Sequence, residues 1–150
     1  MKLIVNGICP CRVLEAQPVP YDACCGRWHT GWLHAQYATS PEELMRSRYS
    51  AYALAKPGNP QGLQMLQYLL STWHISTLPD DFELSPTQWV GLEVLHSEQS
   101  AQAGVVEFIA RYKDGGKAHK MHEISRFILL DASDGLPARW QYIDGQMAGD

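Results

Sequence analysis

No cysteine follows Cys25 in this chain of 150 residues; all 4 are crowded into the first sixth of its length. Long apolar runs are also missing. The longest, such as 127–130, are strand-sized and fall far short of the roughly 20 apolar residues a spanning helix requires. The opening segment carries one positive charge, at Lys2, and too few apolar residues for the core of a secretory signal. A cytoplasmic location and no membrane partner are therefore expected. Basic charge is in deficit: 12 Lys and Arg against 16 Asp and Glu give a formal net charge of −4. That deficit removes the general attraction to phosphate backbones, and no nucleic-acid partner is expected. No glycine-rich loop leads into a lysine in a strand-to-helix setting, since Gly115-Gly116-Lys117 falls in a hairpin. No serine sits in a nucleophile elbow. What remains is an ordinary globular balance, 45% hydrophobic and 19% charged, enough for one buried core.

The cysteines are arranged as Cys9-Pro10-Cys11, a twelve-residue interval, then Cys24-Cys25. A reducing compartment disfavours structural disulfides, and pairing Cys9 with Cys11 and Cys24 with Cys25 closes tight, strained rings. Two close-set thiol pairs joined by a loop can instead place four sulfurs tetrahedrally about one ion. Zinc suits such a soft site, and four protein ligands would make the ion structural, with no position open to water or substrate. His29 is the spare ligand should either thiol of the second pair point away. Free buried thiols or an oxidised pair are the competing readings.

Cys9-Pro10-Cys11 followed by Tyr21-Asp22-Ala23-Cys24-Cys25-Gly26 resembles the SEC-C zinc motif found at the tail of the SecA translocase ATPase. The likeness continues through Leu44-Met45-Arg46-Ser47-Arg48-Tyr49, Thr72-Trp73-His74, Trp89-Val90-Gly91-Leu92 and Phe108-Ile109-Ala110-Arg111-Tyr112. Together with His122-Glu123-Ile124-Ser125-Arg126-Phe127 and Trp140-Gln141-Tyr142-Ile143-Asp144-Gly145, these blocks resemble the YchJ family of bacterial proteins. The resemblance implies an α+β fold: a zinc knuckle over residues 1–35 and a cystatin or nuclear-transport-factor-2-like cone over 36–150. In such a cone a curved antiparallel sheet is wrapped by helices. The resemblance brings no particular reaction with it. The chain departs from the pattern in a longer loop between the cysteine pairs, in Ile75 where proline is usual, and in having no second cysteine motif near its C-terminus.

Local signals agree with this organisation. The first 35 residues show prolines and glycines but no sustained period, and a knuckle so small needs its ion to fold. Trp28, Trp32 and Leu33 are expected to pack it against the rest. Ser40-Pro41-Glu42-Glu43 predicts a helix start, with Ser40 as cap and Glu43 completing a capping box, and the helix should run to about residue 55. Asn59-Pro60 opens a second helix whose Leu63, Leu66, Leu70 and Trp73 form an apolar stripe read as core. Strands are predicted at 89–99, 103–113, 117–131 and 138–144, with turns at Asp114-Gly115-Gly116 and Asp134-Gly135. Short connections make them an antiparallel meander.

Strand alternation sorts the polar residues into faces. Val105, Glu107, Ile109 and Arg111 share one face, and Val106, Phe108, Ala110 and Tyr112 the other; His122, Ile124, Arg126 and Ile128 lie opposite Glu123, Ser125, Phe127 and Leu129. One expectation is that Glu107, Arg111, His122 and Arg126 line the cone's pocket, with Arg48 and His74 arriving from the helices. A histidine beside a carboxylate could act as a general base and an arginine could hold an anion. The competing expectation is that Glu107 forms a structural ion pair. These residues frame the functional alternatives. The first is a binding or adaptor module with a structural zinc, contacting a protein through the knuckle and a small molecule in the cone. The second is a small-molecule enzyme, of hydrolase or isomerase type, using His122 with Glu107 or Glu123. The third is a structural role as monomer or homodimer.

Overall fold

The capping signal at Ser40 is realised as read. In the computed structural model, which describes residues 7–56 and 60–148, Ser40 Oγ accepts the Glu43 N–H at 3.1 Å. The Glu43 carboxylate reaches back one residue further than a standard box, accepting the Thr39 N–H at 3.2 Å and the Thr39 hydroxyl. One of the donors that the helix start leaves orphaned, the Glu43 N–H, is thereby satisfied, and the Thr39 contact fixes the chain entering the helix. The helix α2 spans Pro41–Leu54, and the short α1 (Gly26–Gly31) precedes it. The expected stop at Pro57-Gly58 and start at Asn59 lie outside the described residues. The third helix, α3, spans Gly62–Ser71.

The leucine stripe of α3 is not the core face. Leu63 is 68% exposed, while Met65, Tyr68 and Leu69 are buried with Thr72 just beyond them. Both sets satisfy helical spacing, but the buried one is rotated by about 130° at 3.6 residues per turn, and on that face Tyr68 closes a 2.6 Å hydroxyl–hydroxyl bond with Ser47 of α2. Leu33, half exposed, likewise contributes no packing of the kind given by Trp28 and Trp32.

Four strands follow: β1 (Gln88–Gln99), β2 (Ala103–Asp114), β3 (Lys117–Leu130) and β4 (Arg139–Met147). They form one antiparallel sheet in the order β1-β2-β3-β4. The β2–β3 hairpin closes at Asp114↔Lys117, and Gly115 and Gly116 both take positive φ, as a two-residue primed turn demands. Bulges between Trp89 and Gly91, between Val94 and His96, and between Arg126 and Phe127 bend the sheet. Leu92, Val106, Phe108, Ala110, Phe127 and Trp140 are buried in one cluster with Leu44, Met45 and Tyr49 of α2 and the buried face of α3.

The N-terminal segment folds onto α2. Cys9 N–H donates to Val19 O at 2.8 Å and Tyr21 N–H to Gly7 O at 3.2 Å, a short antiparallel contact that carries the turn Pro10–Arg12 beside the turn Tyr21–Ala23. Cys9, Cys11, Tyr21, Cys24 and Cys25 belong to the same buried cluster as the sheet and helices.

Candidate metal centre and ligand cavity

Cys9 and Cys11 flank the start of one tight turn, and Cys24 and Cys25 link the next turn to α1. The turns bring all four Sγ atoms within 4.8 Å of one another, and all four residues are buried. Sγ–Sγ separations are 3.7 Å for Cys9–Cys11, 3.6 Å for Cys11–Cys24 and for Cys11–Cys25, and 4.0 Å for Cys24–Cys25. A disulfide needs about 2 Å, so no pair is bridged. Sulfurs placed tetrahedrally at about 2.3 Å from one ion are about 3.8 Å apart, and the observed separations bracket that edge. Burial pushes the Cys25 thiol up, whereas the Cys11 contact draws the Cys9 thiol down to about 7. Four sulfurs this close repel one another as thiolates, and a cation among them is what makes their joint ionisation favourable.

A shell of polar groups surrounds the sulfurs. Ser50 of α2 contributes its hydroxyl, 3.3 Å from Cys25 Sγ and 3.5 Å from Cys9 Sγ. Arg12 Nε donates to Cys24 Sγ at 3.5 Å. Arg46 Nη1 donates to Cys11 O at 3.2 Å, while its other nitrogens pair with Glu42 at 2.9 Å and Glu15 at 2.7 Å. These contacts fix the cysteine-bearing turns and place positive charge beside the sulfurs. His29 is not among the ligands. Its Nε2–H donates to Ser47 O at 2.8 Å, which leaves Nδ1 to accept from the Tyr21 hydroxyl at 2.6 Å. A carbonyl only accepts, so the tautomer is determined. Burial lowers the His29 pKa to about 4.

The concave side of the sheet encloses a separate cavity of about 260 Å³ between α2 and the strands. Its walls are aromatic, including Tyr49, Tyr52, Trp73, Trp89 and Tyr142. Arg48 enters it from α2, buried, with Nη1 donating to Leu69 O and Thr72 Oγ1 at 2.7 Å each. Its guanidinium carbon lies 4.6 Å from the Tyr142 ring centre and 5.1 Å from that of Trp73. Among the described residues no carboxylate lies within ion-pair distance of Arg48. Glu123 also lines the cavity; burial raises its pKa, and Ser125 Oγ donates to it at 3.3 Å. The indole Nε1 of Trp73 is buried without a partner.

The family model for the YchJ middle NTF2-like domain matches residues 40–145. The chain belongs to the YchJ family. Its curated relatives include a UPF0225 protein of Cupriavidus metallidurans, 46% identical over 85% of this chain and 83% of that one. Another, from Ralstonia nicotianae, is 44% identical over 95% and 92% of the two chains. Among solved structures, a SEC-C motif containing protein from Psychrobacter arcticus superimposes with a TM-score of 0.73 at 29% identity, covering 95% of this chain and 84% of that one. The solution structure of a SEC-C motif containing protein from Rhodopseudomonas palustris gives 0.69 at 31%, covering 95% and 99%.

In this YchJ chain only Arg48, of the six expected pocket residues, lines the concave cavity. Glu107, Arg111, His122 and Arg126 do not converge there. They occupy the opposite face of the sheet and pair locally: His122 Nε2 with Glu107 at 2.7 Å, Arg111 with Glu93 at 3.6 Å, and Arg126 with Asp144 at 2.6 Å. The reason is alternation itself, because the residues buried with α2 are Phe108, Ala110, Ser125 and Phe127, one position out of phase. His74 sits past the end of α3, its Nδ1 bonded to the Ser76 hydroxyl at 2.7 Å in an exposed turn. The sequence reading overlooked Ser50, Arg12 and Arg46 as supports of the sulfur cluster, and the aromatic walls of the cavity. Only the face grouping of Glu123 and Ser125 with Phe127 signalled the latter.

Proposed function

We propose that this protein is a ligand-binding module whose N-terminal knuckle is held by a structural zinc ion on Cys9, Cys11, Cys24 and Cys25. Four sulfur separations of 3.6–4.0 Å, with all four sulfurs within 4.8 Å of one another, carry the zinc reading, since they suit one tetrahedral ion with every ligand supplied by the protein. The concave cavity carries the binding reading. It presents a buried guanidinium with no carboxylate within ion-pair distance, two neighbouring aromatic rings packed against one side of it, and a nearby carboxyl group, Glu123, whose pKa burial raises. That combination suits a small flat molecule with an anionic group directed at Arg48. The acid–base pair expected for an enzyme, His122 with Glu107, stands on the other face of the sheet and has no access to this cavity.

The zinc-loaded protein should contain one ion per chain by elemental analysis, and Cys24→Ser should lose it. Titration with 2-naphthoate, followed through the indole N–H signals of Trp73 and Trp89, should saturate, and Arg48→Met should weaken binding at least tenfold. Unchanged Trp73 and Trp89 signals at millimolar 2-naphthoate would remove the ligand reading, and metal-free folded protein would remove the zinc one. A second, adaptor reading draws on Ile8, Val13, Leu14 and Leu33, each 47–51% exposed on the knuckle. It requires a protein partner released by Val13→Asp with zinc content unchanged.

A further inference from the structure

A second cavity, of about 280 Å³, lies where the knuckle meets the other end of the sheet. It is bounded by Trp32 and Tyr37 on the knuckle side, by Tyr68 of α3, and by Arg139 and Trp140 at the start of β4. Two donors in its wall are buried and without a hydrogen-bond partner: the indole Nε1 of Trp32 and the guanidinium Nη1 of Arg139. Buried donors are almost always paired, so two orphans on residues that border one void leave a deficit, which a small side-chain adjustment would open to an acceptor in that void. The void is also unbalanced in charge. No Asp or Glu lines it, and among the described residues Arg139 has no carboxylate within ion-pair distance. Its guanidinium carbon is instead 5.9 Å from the ring centre of Tyr37.

We propose that this cavity is a second binding site, separate from the Arg48 cavity, and that it takes a small organic monocarboxylate. One carboxylate oxygen accepts from Arg139 Nη1 and the other acceptor position serves Trp32 Nε1, while the aromatic walls cover the ligand's apolar body. A monoanion balances the single cation in the wall; a more highly charged group would be left partly uncompensated in a buried site. The cavity joins residues of the knuckle to residues of β4, so an occupant would tie the N-terminal segment to the sheet from the side away from the sulfur cluster.

The test uses the full, zinc-loaded chain and benzoate as probe, with acetate as a smaller carboxylate. Binding should move the Trp32 indole N–H signal downfield to saturation and raise the thermal midpoint. Arg139→Gln should reduce the benzoate response at Trp32 at least tenfold and leave the 2-naphthoate response at Trp73 and Trp89 unchanged. Trp32→Phe serves as the second variant and should lose affinity without loss of fold. An unshifted Trp32 signal at tens of millimolar benzoate, with the indole proton exchanging freely with water, would show that the void holds solvent and overturn the proposal. So would a benzoate response that survives Arg139→Gln undiminished.

Discussion

His29 illustrates how a residue that reads as a metal ligand can be committed elsewhere. Its position four residues after Cys25 makes it a natural spare ligand on spacing alone. Spacing does not report the Ser47 carbonyl, 18 residues away, that takes its Nε2–H at 2.8 Å. The ring is buried and neutral, with its pKa drawn down to about 4 from an ordinary value of 6.5 by burial. The unfolded chain therefore binds a proton in a pH range where the folded chain does not. The associated stability is fully present above about pH 6.5 and falls as pH drops toward 4, and the loss reaches about 3 kcal/mol once both states are protonated. The ¹⁵N signals of the His29 ring should show the Nε2–H tautomer persisting until about pH 4. A titration centred near 6.5 would contradict the buried, doubly bonded ring.

At the scale of elements, the strands and α2 were legible because their signals are local: a cap, a proline, two turn glycines and period-two alternation. Alternation separates a strand's two faces but does not say which one a helix covers. Glu107 and His122 on one side and Glu123 and Ser125 on the other are equally polar in the sequence, so the cavity was assigned to the wrong face. The deciding contact is long-range. Pro41, at the first turn of α2, rests on Gly104 of β2, where a Cβ would stand 2.2 Å from Pro41 Cγ. Only a residue without a side chain admits α2 this close to the sheet, and the proline ring cannot swing away. Gly104→Ala should destabilise the protein by about 1–3 kcal/mol through overpacking, measured by urea unfolding. Combining it with Pro41→Ala should recover most of that loss. A cost within experimental error for Gly104→Ala alone would mean that the helix shifts freely on the sheet.

The whole molecule is organised around α2, which is buried along most of its length although it carries two arginines and two serines. Arg46, Ser47 and Ser50 tie α2 to the knuckle, Arg46 bonding Cys11 O, the Ser47 carbonyl accepting from His29, and Ser50 contacting the Cys9 and Cys25 sulfurs. Met45, Arg48, Tyr49 and Tyr52 turn toward the concave cavity. The four-thiolate cluster with a divalent ion would itself add two negative charges to the formal −4, against which Arg12 and Arg46 are set. Without an ion, four repelling or protonated sulfurs would be packed on one side of the helix whose other side shapes the concave cavity. Chelation should therefore act beyond residues 7–35. Hydrogen exchange should show the α2 amides from Arg46 to Ser50 losing protection together with the knuckle, and the Trp89 indole signal should move although no sulfur ligand touches it. Thermal unfolding of the zinc-loaded protein should be a single transition whose midpoint rises with free zinc, as expected if the ion is held more tightly by the folded chain than by the unfolded one. A chelated chain in which α2 keeps its protection and only the knuckle exchanges would show instead that the metal stabilises its own segment and nothing further.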